Sequence, residues 1–368
     1  MLDIRFIREN SEKVKENIKK KFQEDKLPLV DKIIEKDEKW RKLKYNTDTL
    51  RKERNLISEE INKAKKEKNE KKAKELIKKA KEIPEKIKNS EEELDTLFNE
   101  IKNLQIKIPN IISKNVPIGK SDKENVVGKI FGKPKKSNVL GHVEIIELLC
   151  LGDFESSSRV SGTGFYYLEG KLALLNQALL SYARDIMVKK GFLYVETPLL
   201  LREEIIDKVT DLNDKQLQIY IVDAEPRLAL IGTSEHSLIG RFVGTEIDEK
   251  KLPIKHTSYS MCFRKEIGAH GIDERGLFRT HQFNKIEMVI ICKPEESESF
   301  FKELQNITIE IFKGLEIPIR VLHICSGELG DLKYEQVDIE AFSPRRNDYF
   351  EVGSCSNLTE SQARKLEI

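Results

Sequence analysis

The chain has 368 residues, 35 % of them charged and 39 % hydrophobic, with a formal net charge of +2 and five cysteines. That length supports two or three domains, each able to bury its own core. The odd, scattered cysteines exclude a disulfide framework and a CxxC zinc site, no apolar run approaches the ~20 residues that span a bilayer, and MLDIRFIREN lacks a signal-peptide core, so the expectation is a cytoplasmic protein with no membrane segment.

In chain order, the first pattern is helical. From Trp40 the apolar or small positions run Trp40, Leu43, Thr47 and Leu50, break at Arg54, then continue through Ile57, Ile61 and Ala64. Steps of three and four alternate, which marks a heptad seam. A second seam runs Leu76, Ala80, Ile83, Ile87, Ser90, Leu94, Leu97, Ile101 and Leu104. KKEKNEKKAKE, residues 65–75, lies between them and reads as the turn of an antiparallel helical hairpin. Pro84 is predicted to kink the second helix, because it lacks a backbone donor. Arms of about 40 residues would reach about 60 Å at 1.5 Å per residue. Between Lys63 and Lys81 ten lysines stand against three glutamates, an excess of seven positive charges, and LRKERN adds Arg51 and Arg54. Such an excess suits a phosphate backbone. Composition alone fits a solvated helix face equally well, and periodicity alone fits a spacer or dimerisation arm.

Residues 108–137, rich in Gly, Pro, Ser and Lys, read as a linker. Beyond them the period changes. KLALLNQALLSYARDIMVKKG, 171–191, is an amphipathic helix closed by Gly191. FLYVETPLLL follows as a strand ended by Pro198; further strands are expected at 227–232, 257–266, 277–292 and 337–343, with a helix at 295–314. Antiparallel strands with helices set apart predict an α+β domain.

The densest chemistry lies in FRKEIGAHGIDERGLFRTHQFNKIE, residues 263–287. If its two runs pair as strands, Arg279, His281, Phe283, Lys285 and Glu287 share one face, and Arg264 and Glu266 share a face of the partner. Singly, these residues need no ligand: Phe283 suits a core, and an Arg–Glu pair suits a cross-strand ion pair. Jointly, they suit the floor beneath a charged, flat ligand.

These segments, in their order and spacing, resemble the seryl-tRNA synthetases along essentially the whole chain. MLDIRFIREN and LRKERN are similar to that family's N-terminal arm, and SGTGFYYLEG continues the match. GFLYVETPLL resembles class II motif 1, with Pro198 at its signature position. GTSEH, 232–236, resembles the TxE loop, FRKE through GLFRTHQFNKIE resembles motif 2, and VDIEAFSPRRNDYFEVGSCSN, 337–357, resembles the segment before motif 3. The resemblance implies an α+β fold. A class II antiparallel sheet core, 138–368, would follow a long antiparallel coiled-coil hairpin, 1–107, that binds tRNA. It also implies a serine–tRNA ligase that converts serine and ATP to seryl-adenylate and pyrophosphate, then charges tRNA(Ser), with tRNA(Sec) left open. A homodimer and a Mg²⁺ cofactor are implied as well.

By the same resemblance Arg264 and Arg279 are catalytic, Arg264 at the α-phosphate and Arg279 at the terminal phosphates of ATP. Glu266 would accept from the adenine amino group, Phe283 would stack under adenine, and Lys265 and Thr280 would lie along the nucleotide through their backbone. Glu351, Val352, Gly353 and Ser354 would complete the ATP site, Glu351 and Ser354 giving Mg²⁺ the oxygen ligands it prefers. Thr233, Ser234, Glu235 and Glu287 would bind serine, whose hydroxyl a hydrogen-bonding site selects far better than shape does. Arg51, Arg54, Lys65, Lys66, Lys68, Lys71 and Lys72 would contact tRNA. His281 is read as a support of the sheet, since the reaction needs in-line positioning more than proton abstraction; His236 and His270 receive no role. The scattered Cys and His residues argue against the zinc-dependent type of this enzyme.

Two departures stand out. After SQARKLEI the chain offers no G-x-G-x-x-R element of motif 3, so a shortened core is expected, with an open sheet edge and exposed apolar surface. A truncated or split ligase, a ligase completed in trans, and a paralogue that binds tRNA without activating serine all fit that ending. Gly164 stands where many relatives carry arginine.

Overall fold

The computed structural model describes residues 1–135, 139–210, 218–267 and 276–368; His270 lies outside them. They form two compact units, Met1–Ile111 and Ile112–Ile368.

The first unit is helical: α1 (Ile4–Glu9), α2 (Ser11–Lys20), α3 (Leu27–Lys66) and α4 (Glu70–Gln105). Both heptad seams are present. Ile57, Ala64, Ala73, Ile83, Ile87, Leu94 and Ile101 are buried, and the polar break Arg54 is exposed. Thr47 is tolerated in the seam because its hydroxyl donates to the Leu43 carbonyl at 2.8 Å. Cross-helix pairs Lys36–Glu100 at 2.6 Å and Arg51–Glu91 at 2.7 Å fix the antiparallel register. The turn is shorter than the 65–75 expected. α3 continues to Lys66, and Asn69 starts α4 by accepting from the Lys72 backbone N–H at 3.2 Å. α4 is one continuous helix through Pro84, which is exposed. α1 and α2 escaped sequence reading because each is too short to show a period. They bury Ile7, Val14 and Ile18 against Val30 and Ile33 of α3 and Ile101 of α4.

The second unit runs β1 (Val126–Phe131), α5 (His142–Leu148), β2 (Gly152–Asp153), α6 (Phe154–Ser161), β3 (Tyr167–Leu168), α7 (Gly170–Lys189), β4 (Leu193–Tyr194), β5 (Leu200–Arg202), α8 (Glu203–Val209), β6 (Ile221–Val222), β7 (Leu228–Leu230) and α9 (Ser234–Gly240). It continues with β8 (Ile254–Phe263), β9 (Gln282–Ile291), α10 (Ser297–Gly314), β10 (Ile319–His323), β11 (Glu335–Ser343), β12 (Asp348–Asn357) and α11 (Ser361–Leu366). The stretch read as a linker therefore contributes β1, antiparallel to β10. Its glycines and lysines hid a strand that is exposed along most of its length. The strand expected to end at Pro198 is only Leu193–Tyr194, and a second short strand, Leu200–Arg202, follows the proline. β4 pairs parallel with β8, and β5 pairs with β7.

Two sheets matter for the site, β4-β8-β9 and β1-β10-β11-β12, so among the described residues β9 and β12 are both edge strands. α10 packs Phe301 and Ile309 onto β10–β12, while its Ile307 and Ile311 join Met187 of α7 beneath β9. One helix thus seats both sheets on a shared apolar layer. Val352 is the extra residue of a bulge in β12, since Ile339 faces Gly353 and Glu340 faces Glu351.

Candidate active site

The β8–β9 hairpin pairs in the predicted sense, with Ser258 opposite Glu287, Ser260 opposite Lys285 and Cys262 opposite Phe283. Alternation then places Phe283, Lys285 and Glu287 on one face. The strands are shorter than expected, however. β8 ends at Phe263 and β9 begins at Gln282, so Arg264, Lys265, Glu266, Arg279, Thr280 and His281 lie where the hairpin opens into its loop. The charges crowded there break the pattern of a strand because water and partners, not a sheet face, receive them.

Arg264 is held from several sides. Its Nε donates to the Gly232 carbonyl at 3.2 Å, and its guanidinium carbon sits 5.2 Å from the centre of the Phe283 ring, a cation–π geometry. Glu266 accepts from Arg279 Nη1 at 3.4 Å. Glu266 also has φ +47, a left-handed conformation that costs a non-glycine residue about 1–2 kcal/mol. The backbone N–H of Lys265 donates to Gln218 at 2.9 Å, and the hydroxyl of buried Thr280 donates to the Gln282 carbonyl at 2.8 Å.

Next to Arg264 lies a compact polar network. Thr233 caps α9, accepting from the Glu235 N–H at 3.3 Å, and its hydroxyl donates to Glu287 Oε2 at 2.8 Å. Lys285 Nζ donates to that hydroxyl at 3.0 Å and lies 2.6 Å from Glu287 Oε2. Burial alone would pull the Lys285 ammonium down, but the Glu287 and Glu235 carboxylates outweigh it and hold its pKa above the ordinary lysine value. Burial, and then the Glu287 charge, push the Glu235 carboxyl above the usual carboxylate range. Gln362 of α11 donates to Glu235 Oε1 at 3.2 Å. Ser234 does not join in. It is fully buried and its hydroxyl turns to the Ser258 carbonyl of β8 at 3.5 Å.

The second sheet brings a matching acidic face. Glu351 and Ser354 are three apart, an odd spacing that would put them on opposite faces of a regular strand. The bulge at Val352 restores them to one face, opposite Glu340 and Asp338. Ser354 Oγ accepts from Gln336 at 3.0 Å, and the same amide donates to Asp338 at 2.7 Å. Burial raises the Asp338 carboxyl, and burial followed by the Asp338 charge raises Glu351, whose titration also senses Lys285 and Arg264. Glu351 on β12 thus lies within electrostatic reach of Lys285 and Arg264 on the other sheet. Among the described residues no three His, Cys, Asp or Glu side chains converge on a metal position. Two oxygen donors on one face suit Mg²⁺, which keeps waters and shares substrate phosphates in preference to an all-protein cage.

Sequence reading gave Lys285 no role and missed Asp338 and Gln362. The i, i+2 spacing of Lys285 and Glu287 carries a signal for the first. Asp338 becomes visible only through the bulge, and Gln362 arrives from a helix 127 residues from Glu235. In the helical unit, Lys65, Lys66, Lys68, Lys71 and Lys72 are exposed at the hairpin tip, and no ion pair to them occurs among the described residues. Arg54 makes only a 3.4 Å contact with Asn55, whereas Arg51 is engaged by both Asp48 and Glu91.

Residues 1–112 match the family described as the seryl-tRNA synthetase N-terminal domain, and residues 220–368 match the tRNA synthetase class II core domain (G, H, P, S and T). The chain is 39 % identical over 370 residues to the serine–tRNA ligase of Methanospirillum hungatei, covering 100 % of this chain and 86 % of that protein. It is 42 % identical over 374 residues to the serine–tRNA ligase of Dictyoglomus thermophilum, with coverage of 100 % and 86 %. Among solved structures it superposes on the seryl-tRNA synthetase from Pyrococcus horikoshii complexed with ATP, with a TM-score of 0.93, 36 % identity, and coverage of 100 % and 87 %.

Proposed function

Because this chain belongs to the seryl-tRNA synthetase family, we propose that it activates serine with ATP in the cleft between the β8–β9 hairpin and β12, and charges tRNA(Ser) held by the α3–α4 hairpin. It is a serine–tRNA ligase, and ATP is its nucleotide substrate. The observation that carries the site reading is the Thr233–Lys285–Glu287 network directly beside Arg264.

Serine's carboxylate attacks the α-phosphorus, and pyrophosphate leaves with the electron pair of the broken bond. Negative charge shifts onto the α-phosphate oxygens in that step. Arg264 answers it with a charge aimed in advance by Gly232 and Phe283. A planar guanidinium can hold two oxygens and keeps its charge. Arg279 takes the terminal phosphates, exchanging its long contact with Glu266 for shorter, charge-assisted ones. Glu266, released, accepts from the adenine amino group, and Phe283 underlies the ring. Thr280 and Lys265 keep their places by backbone contacts.

Glu287 and Glu235 receive serine's ammonium, and the Thr233 and Glu287 oxygens receive its hydroxyl. An analogue without that hydroxyl leaves buried polar atoms unmatched, which discriminates more strongly than volume does. Glu351 and Ser354, with Val352 and Gly353 shaping the bulge between them, would hold Mg²⁺. When bound, the ion neutralises phosphate charge.

The exposed tip lysines Lys65, Lys66, Lys68, Lys71 and Lys72, with Arg51 and Arg54, are the tRNA contacts of this reading. Leu174 at 71 %, Leu175 at 53 % and Leu179 at 41 % exposure on α7 form an apolar stripe that a second copy of the chain would cover, giving a homodimer in the cytoplasm. Incorporation of labelled serine into tRNA(Ser), dependent on ATP and Mg²⁺, tests the function. Failure to charge tRNA(Ser) under conditions where tRNA is bound would overturn it, and the same assay on tRNA(Sec) sets the range of acceptors.

A further inference from the structure

We infer that His281, seated against Gly164, is the positioning residue that fixes Arg264. The inference rests on the reading of Arg264 as the α-phosphate grip. Arg264 is the first residue past β8 and His281 the last before β9, so they form the final link of the hairpin before it opens. The Arg264 N–H donates to the His281 carbonyl at 3.0 Å, and His281 Nδ1 lies 3.0 Å from the Arg264 carbonyl. A carbonyl only accepts, so Nδ1 carries the ring proton. The Tyr220 oxygen, 3.1 Å from the same nitrogen, then shares that proton as a second acceptor. Both main-chain polar groups of Arg264 are thus held by one residue.

The ring is itself wedged. Its backbone N–H donates to the Gly164 carbonyl at 2.9 Å, and Phe165 lies 5.4 Å away, centre to centre. Gly164 has φ +82, and a Cβ there would come within 2.5 Å of His281 Cδ2 and 2.9 Å of Nε2. A side chain at 164 would displace the imidazole and with it the Arg264 carbonyl. The left-handed backbone at 164 favours glycine whatever the space, and the imidazole adds a direct clash for any Cβ.

Asparagine places an amide N–H near the position of Nδ1, glutamine places its amide near Nε2, and leucine has no donor. His281→Leu and His281→Gln should lower kcat for serine-dependent ATP–pyrophosphate exchange about 10- to 100-fold, while KM for ATP and serine changes less than about threefold, because the loss falls on transition-state charge. His281→Asn should recover most of that rate. Gly164→Ala should cost a similar factor in the native background and much less with His281→Ala, where no ring remains to be displaced. Equal losses in the Asn, Gln and Leu variants, a loss confined to KM, or additive Gly164 and His281 effects would overturn the inference. An Arg264→Ala variant that retains exchange would instead refute the underlying reading of Arg264. Should the native chain give no exchange, nitrogen-15 NMR of the full chain decides the matter. A protected His281 Nδ1–H resonance is expected, together with an Arg264 Nε–H peak that moves in His281→Leu and stays in His281→Asn. A ring without that Nδ1 proton, or an Arg264 peak indifferent to the variants, contradicts it.

Discussion

The two charged regions of the molecule are built on opposite terms. At the tip of the α3–α4 hairpin the lysines are exposed and, among the described residues, make no ion pairs. In the cleft the charges are half-buried, and each is tied to another group: Lys285 to Glu287 and Thr233, Arg279 to Glu266, Arg264 to Gly232 and Phe283. Free lysines can follow a flexible polyanion and exchange its counterions. Tied charges cannot adapt, but they need no reorganisation when a phosphate becomes more negative. In the proposed reading the difference is the one between a surface for a large polyanion and a site for chemistry on a small substrate.

The sharpest way to break this contrast is to unpair a charge in the cleft. Glu287→Ala leaves the half-buried Lys285 ammonium without its carboxylate partner, and solvent screening should reduce the cost of a fully buried pair to about 1–3 kcal/mol. Denaturant unfolding should show this in the second unit only, with serine-dependent exchange abolished. A fall below about 1 kcal/mol would place the pair among solvated surface contacts.

Acid offers the next test. His236 is buried, with Nε2 3.3 Å from the Thr210 hydroxyl and Nδ1 unpartnered. Burial, then the Lys285 and Arg264 charges, lower its pKa from 6.5 to about 4. A depressed histidine contributes stability that is present above pH 6.5 and lost as the pH falls towards 4, here about 3 kcal/mol. His236→Asn should flatten that part of the stability–pH profile. An unchanged acid slope would show that the ring is not the group responsible.

The tip sharpens the contrast from the other side. Replacing Lys65, Lys66, Lys68, Lys71 and Lys72 by alanine should reduce the salt dependence of tRNA binding by roughly one logarithmic slope unit for each phosphate the arm no longer neutralises, with exchange untouched. An unaltered slope would move the tRNA surface elsewhere. Arg51 should behave differently from these lysines, because Asp48 and Glu91 already engage it. Arg51→Ala should leave the unfolding of the hairpin almost unchanged and weaken tRNA binding less than any two tip lysines together.

What the sequence revealed follows the same division. The heptad seams were legible because a coiled coil is a local, periodic object; its turn is shorter than the polar run suggests, and α1 and α2 are too short to show a period. The β8–β9 face was legible from alternation through Phe283, Lys285 and Glu287. It failed at Arg264, Glu266 and Arg279, where the chain leaves the sheet and Glu266 turns to φ +47. β1 was hidden because an exposed edge strand carries little apolar signal. The bulge at Val352 was hidden because one extra residue changes register without changing composition. Long-range partners such as Gln362 and Gly164 leave no mark on the segments they serve.

Whether this cleft activates serine is decided by serine-dependent ATP–pyrophosphate exchange on chain 1–368, measured beside Arg264→Ala. Exchange should require serine and fall at least about 100-fold in the variant. Exchange that persists in Arg264→Ala, or none in a native chain that binds tRNA(Ser), would contradict the assignment of serine activation to this cleft.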